Sequence, residues 1–79
     1  MTIKEKIYEI VARKLKTDAS LIAEDANLKK ELGADSIDTV EIVFEIEEEY
    51  KIAVPDELAE TINTINDAVS VVEELVKNN

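Results

Sequence analysis

Residues 31–51 read ELGADSIDTVEIVFEIEEEYK, and this stretch decides the fold because it contains the most informative helix of the chain. Asp35 and Ser36 favour a helix start, and Asp38 stands where a third helical position would complete the cap. At about 100° per residue, one face of this helix collects side chains suited to a core: Thr39, Ile42, Val43, Ile46 and Tyr50. The stretch therefore predicts a helix over residues 36–50.

The opposite face of this predicted helix carries a second apolar stripe in an acidic frame. It consists of Ile37, Val40 and Phe44, with Glu41 and Glu48 on one edge and Glu47 on the other. Large apolar side chains on the water side of a bundle helix indicate a surface that binds a partner. Alternatively, the long segment 16–35 covers them, and the helical wheel alone leaves both possibilities open.

Helical periodicity on either side of this stretch predicts an all-α fold. Start signals precede three further helices, namely Thr2 with Glu5 before residues 3–15, Pro55 before the short segment DELAET, and Thr64 with Asp67 before the last helix. No segment alternates with a period of two, so we assign no strand. We predict one domain over residues 1–79, a small four-helix bundle with three longer helices, one short helix and a long loop between helices one and two.

The long loop, residues 16–35, has no strong period. We expect four apolar side chains to hold it against the bundle: Leu21, Ile22, Leu28 and Leu32. One helical turn is expected near residues 19–22. Gly33, the only glycine, stands where the chain turns into the second helix and needs freedom in φ.

Charge is distributed unevenly along the chain, whose formal net charge is −10 over 79 residues. Residues 1–34 contain six acidic and seven basic side chains, whereas residues 35–79 contain thirteen acidic and two basic ones, a net −11. Such a second half repels nucleic acid and anionic membranes and attracts basic protein surfaces. We therefore expect protein partners with lysine and arginine patches, and no insertion into a membrane.

The residue types that are missing exclude several kinds of site. Without Cys the chain has no disulfide, thiolate metal site or thiol nucleophile, and without His it lacks the usual general base at neutral pH. The acid-containing start is unlike a signal peptide, and no apolar run approaches the ~20 residues that span a bilayer. We expect a non-catalytic protein of the cytoplasm or an organelle matrix.

Ser36 has two interpretations from the sequence. As a structural residue it belongs to the cap or first turn of the helix, and with Asp35 as the cap and Asp38 at the third position its hydroxyl would face solvent in the first turn. As a functional residue its hydroxyl would accept a group installed by another enzyme, since unpaired N–H groups at a helix N-terminus favour a phosphate. No His can activate it as a nucleophile of the protein's own, and the neighbouring Asp35 and Asp38 oppose a phosphate, so electrostatics alone does not choose.

The stretch LGADSIDTVEIVFEIEEEY resembles the acyl carrier protein family, in which D-S-L precedes an acidic helix. The similarity covers nearly the whole chain in length, charge and order of elements, and it includes V-P-D-E before the short third helix. It implies that a holo-synthase transfers 4′-phosphopantetheine from coenzyme A to Ser36. It also implies that the thiol of this arm carries acyl intermediates as thioesters for enzymes of fatty acid or related polyketide biosynthesis.

The resemblance further implies two sets of contact residues and a monomeric carrier with no metal. Docking on basic patches of the holo-synthase and of acyl-transfer or elongation enzymes is assigned to Asp35, Ile37, Asp38, Val40, Glu41, Phe44, Glu47 and Glu48. The acyl chain is expected between the helices, against Leu28, Leu32, Thr39, Ile42, Ile46, Val54, Ala59, Ile62 and Ala68. Each of these lining residues is also plausible as plain core.

Some residues differ from the family pattern. Phe44 stands where Met is common, and Lys29 and Lys30 stand in a loop where acidic residues are frequent, so they reduce the negative field beside Ser36. These differences leave open whether the chain is a housekeeping fatty acid carrier or a specialised relative.

Other functions fit less well. A calcium-binding loop over residues 25–36 fails because Lys30 occupies the position that needs Gly and Ser36 the one that needs Glu. A hydrolase built on carboxylates would turn over substrate without partners, and we disfavour it. An unmodified acidic helical adaptor, which binds basic partners through the second helix, remains the alternative.

Overall fold

The computed structural model describes residues 2–77 and shows a helical bundle. Its elements are α1 (Ile3–Leu15), a 3₁₀ turn (Ala19–Leu21), α2 (Ser36–Tyr50), α3 (Asp56–Ala59) and α4 (Ile65–Lys77). Residues 2–77 contain no strand, and none of their helices is long and apolar enough to cross a membrane. The all-α prediction is confirmed, including both ends of α1 and α2.

Three helices begin with the reciprocal hydrogen bonds that their sequences predict. In each, the cap side chain accepts a backbone N–H from the third helical residue, whose side chain accepts the N–H of the cap. The pairs are Thr2 with Glu5, Asp35 with Asp38, and Thr64 with Asp67, at distances of 2.8–3.2 Å. Each cap contributes about 1 kcal/mol, which fixes where the helices begin.

Helix α1 lies at the centre of the bundle and packs against both α2 and α4. The side chains that are essentially inaccessible to solvent come from all three helices and from the loop: Ile7, Ile10, Val11, Leu28, Ile42, Ile46, Ile65 and Val72. Helices α1 and α2 run antiparallel, because Arg13 pairs with Glu45 while Lys6 lies near Glu49. The N-terminus of α2 is therefore at the end of the bundle where α1 finishes.

The loop between α1 and α2 is held to the bundle at points in both of its halves. Ile22 and Leu28 are buried, as predicted, and Leu28 donates its backbone N–H to the Asn63 carbonyl at 2.8 Å. Leu32 is only half-buried. The prediction for Leu21 is wrong: this last residue of the 3₁₀ turn is 72% exposed.

Candidate functional site

Ser36 is the first residue of α2 and is exposed. The cap role belongs to Asp35, whose side chain accepts the Asp38 N–H at 2.8 Å. Thr39 donates its hydroxyl to the Ser36 carbonyl at 2.9 Å, but no hydrogen bond within residues 2–77 uses the Ser36 hydroxyl. Ser36 is therefore a first-turn residue with Asp35 as the cap, as the sequence allowed, and its oxygen is available to a reagent from solution.

The apolar stripe next to Ser36 is open to solvent. Ile37, Val40 and Phe44 are 69%, 51% and 59% exposed, so the segment 16–35 does not cover them. We call these three residues the α2 patch. Exposed side chains of this size, grouped on one helix face, are unusual without a partner.

The acidic side chains of α2 fall into two groups. Glu45 and Glu49 face α1, where Arg13 Nη2 lies 2.7 Å from Glu45 Oε1 and Lys6 lies 3.8 Å from Glu49. Glu41 and Glu48, which border the α2 patch, have no ion pair within residues 2–77. The negative field of α2 is thus partly neutralised on the α1 side and directed outward around the patch.

Glu47 has a structural contact that the sequence did not predict. Its half-buried carboxylate accepts the backbone N–H of Val54 at 2.7 Å, which ties α2 to the segment leading into α3. The family resemblance assigned this residue to the partner-binding face, and the helical wheel placed it at one edge of the second apolar stripe. Its carboxylate instead points toward the α2–α3 connection.

A cleft of about 420 Å³ runs from Ser36 between α2 and α3. It is lined by Ser36, Thr39, Val40, Val43, Phe44, Glu47, Val54, Asp56, Ala59 and Glu60. The apolar floor comes from side chains of both helices, and three carboxylates stand among the lining residues. The cleft can therefore shelter a small apolar group attached near Ser36.

The structure brings together three of the side chains predicted to line an acyl site: Thr39, Val54 and Ala59. The others lie outside this cleft: Leu28, Ile42, Ile46, Ile62 and Ala68 are at most 7% exposed in the core, and Leu32 is half-buried elsewhere. Sequence reasoning missed Val43, Asp56 and Glu60, since only the placement of α3 against α2 shows that they line the same cleft as Ser36.

Within residues 2–77, no three acidic side chains are grouped closely enough to hold a metal ion.

The chain matches a family model described as a phosphopantetheine attachment site over residues 5–72. Its structure is similar to a putative acyl carrier protein from Mycobacterium tuberculosis, with a TM-score of 0.85, 30% identity, and coverage of 92% of this chain and 97% of that one. An acyl carrier protein from Enterococcus faecalis has a TM-score of 0.77 and 32% identity, over 98% of this chain and 94% of that one.

A larger relative is similar over part of its length. The apo doublet acyl carrier protein from prodigiosin biosynthesis has a TM-score of 0.81 and 26% identity, over 92% of this chain. This chain spans 35% of that protein.

Proposed function

This chain belongs to the phosphopantetheine-attachment family of acyl carrier proteins, which are carriers and not catalysts, and we propose that Ser36 bears its 4′-phosphopantetheine. One observation carries the assignment: Ser36 is exposed at the first position of α2, and Asp35 has taken the cap role. The residues fit the group, because a free hydroxyl stands at a helix N-terminus beside a cleft.

The attachment reaction needs only an oxygen from this chain. The Ser36 hydroxyl oxygen bonds to the phosphorus that bears pantetheine in coenzyme A. The bond between that phosphorus and the oxygen bridging to the second phosphorus breaks, and adenosine 3′,5′-bisphosphate leaves with the bridging oxygen. The hydroxyl proton passes to a base of the transferring enzyme, since this chain has no His. Once attached, the group supplies the thiol that a chain without Cys lacks, and this thiol holds acyl groups as thioesters.

Two features of the site act in opposite directions on a phosphate at Ser36. The first-turn N–H groups of α2 favour a negative charge, whereas the Asp35 and Asp38 carboxylates oppose it. Each of these carboxylates accepts a backbone N–H of the other residue, at 2.8 and 3.2 Å, which offsets part of its charge. The serine is therefore selected by its accessibility rather than by a strong local potential.

We further propose that enzymes dock on the α2 patch and its acidic border. Ile37, Val40 and Phe44 offer the apolar contact, and Asp35, Asp38, Glu41 and Glu48 offer charges for lysine and arginine side chains. Exposed ion pairs of ~0.2–1 kcal/mol each give weak contacts that depend on salt. Such binding suits a carrier that must visit a holo-synthase and several acyl-transfer or elongation enzymes in turn.

The cargo that we propose is an acyl chain of fatty acid or related polyketide biosynthesis, handled in the cytoplasm. The cleft between α2 and α3 supports this proposal, because Ser36 and several apolar side chains line it together. A chain held there would contact the apolar side chains Val43, Val54 and Ala59.

Intact mass spectrometry tests the attachment directly. The apo chain is incubated with coenzyme A, Mg²⁺ and a holo-synthase, beside the variants Ser36→Ala and Ser70→Ala. Ser70 is exposed on α4 and serves as the matched control. Wild type and Ser70→Ala should each gain one phosphopantetheine, and Ser36→Ala none. If wild type gains nothing, the chain is instead an unmodified acidic adaptor that binds through the α2 patch.

A further inference from the structure

Lys29 and Lys30 are two adjacent, exposed lysines in the turn that leads to Ser36. Asn27 fixes the start of this turn, because its side-chain oxygen accepts the backbone N–H groups of Lys29 at 3.0 Å and Lys30 at 2.9 Å. The Glu31 carboxylate in turn accepts the Asn27 N–H at 2.8 Å. The backbone that carries both lysines is therefore held by three hydrogen bonds.

The end of the turn is fixed as well, and it leads directly into the site. Gly33 adopts φ +75°, and the Ala34 N–H donates to the Leu28 carbonyl at 2.9 Å. Leu28 itself is 1% exposed. The path from the Lys29 Cα through the Leu28 carbonyl, the hydrogen bond and Ala34 to the Asp35 Cα sums to less than about 14 Å of standard bond lengths. The two Cα atoms are therefore no farther apart than this. The two lysines are thus presented on a rigid turn close to Ser36.

These lysines have no partner inside the described part of the chain. Lys4, Lys6, Arg13 and Lys14 each pair with a glutamate, but no ion pair within residues 2–77 uses Lys29 or Lys30. Lys16, Lys51 and Lys77 also have no ion pair in this range, so what distinguishes Lys29 and Lys30 is their place together on the turn that leads to Ser36. Two adjacent uncompensated cations beside a strongly acidic helix divide the surface around Ser36 into a basic and an acidic part.

We propose that the enzyme that modifies Ser36 carries an acidic patch that contacts Lys29 and Lys30, in addition to the basic patch that contacts α2. This inference rests on the proposed function. A standard interface covers about 800 Å² per partner, roughly 30 Å across, so a protein docked over Ser36 is large enough to include the turn. Opposite charges at the two ends of one footprint fix the orientation of the partner as well as its approach.

A protein surface suits these lysines better than the phosphates of coenzyme A. Lys29 and Lys30 are exposed, and neither lines the cleft beside Ser36. Small ligands bind in concave sites that remove most of their surface from water, whereas protruding cations suit an extended protein face.

Steady-state kinetics with the holo-synthase of the same organism tests the proposal. The variant Lys29→Glu/Lys30→Glu is compared with Lys51→Glu/Lys77→Glu, which changes the net charge equally. Lys51 and Lys77 are exposed at the C-terminal ends of α2 and α4, about 20 Å from the starts of those helices. We expect the KM for the carrier to rise about tenfold for the first variant at low salt, with kcat and the KM for coenzyme A unchanged. The neutral variant Lys29→Gln/Lys30→Gln should give a smaller rise.

The other outcomes separate the possibilities. Equal rises in the KM for the carrier with both reversed variants would show an effect of net charge alone and would overturn the proposal. A rise in the KM for coenzyme A would overturn it as well, by placing the lysines on the cofactor's phosphates. A zero-length carbodiimide cross-link from Lys29 or Lys30 to a synthase carboxylate, mapped by mass spectrometry, would support it independently. If wild type is never modified, the proposed function itself fails, whereas normal modification with an unchanged KM in the lysine variant defeats only this inference.

Discussion

The Glu47 carboxylate accepts the Val54 backbone N–H at 2.7 Å and thereby sets the position of the segment that precedes α3. Val54 is 8% exposed, so water cannot readily replace this contact. Both residues also line the cleft that begins at Ser36. A side chain that lies among acids of the proposed docking face thus also determines the shape of the proposed cargo site.

We predict that Glu47→Ala lowers the free energy of unfolding by about 1–3 kcal/mol, because it leaves a buried N–H without a partner. Glu48→Ala is the matched control, since it removes the same charge from an exposed position that makes no hydrogen bond within residues 2–77. Urea denaturation of both variants should separate them, with Glu48→Ala within about 0.5 kcal/mol of wild type. Equal stabilities would mean that the hydrogen bond contributes nothing to the fold.

Phe44 and Ile42 should respond to truncation in different ways. Phe44 is 59% exposed in the α2 patch, so Phe44→Ala should cost about 1 kcal/mol or less while raising the KM of a holo-synthase for the carrier. Ile42 is 1% exposed in the core, and Ile42→Ala should cost about 2–5 kcal/mol. Thermal unfolding followed by circular dichroism measures the stability of both variants. An unfolded Phe44→Ala variant would show that the patch belongs to the core.

The helix starts could be predicted from the sequence because their determinants are local. Each reciprocal cap involves two residues three positions apart, as in Asp35 with Asp38, and needs no knowledge of the rest of the fold. The C-terminal ends of α1 and α2 were also predicted correctly, but from the extent of the apolar pattern and not from a capping residue. Lys16 and Lys51 each end a helix in the left-handed conformation, with φ 55°. Glycine or asparagine is usual at such a position and would have predicted it, whereas lysine does not.

The cleft could not be predicted because its lining depends on contacts between distant parts of the chain. Val43 was assigned to the core by its place on the wheel, and Asp56 and Glu60 had no period to place them. Their position beside Ser36 follows from the short α3. The prediction that Leu21 packs against the bundle was wrong for a similar reason. In a loop without a period, the sequence does not show which apolar side chains face the core.

The two groups of acidic side chains on α2 predict opposite effects of neutralisation. Glu45→Gln removes the ion pair with Arg13 and should destabilise the protein, whereas Glu41→Gln removes only repulsion and should stabilise it, each by about 0.5 kcal/mol. Because salt screens the repulsion, the stability of the wild type should rise with added NaCl, and the stability of the Glu41→Gln variant should rise by less. Thermal midpoints across a salt series measure this. Identical salt responses would mean that Glu41 feels no net repulsion.

The N-terminal capping box should make a measurable, pH-dependent contribution to stability. The backbone N–H of Thr2 donates to the Glu5 carboxylate at 2.9 Å and lowers the pKa of Glu5 below its ordinary value. Because the pKa is lower in the folded state, the stabilisation is fully present above the unfolded pKa of about 4.3 and is lost as the pH falls through the folded value. The difference in unfolding free energy between wild type and Glu5→Gln should therefore shrink from about pH 6 to about pH 3. Glu73→Gln controls for the loss of one charge, because the Glu73 side chain is exposed on α4 and makes no hydrogen bond within residues 2–77. Parallel curves for the two variants in urea titrations would show that the capping interaction does not depend on the charge of Glu5.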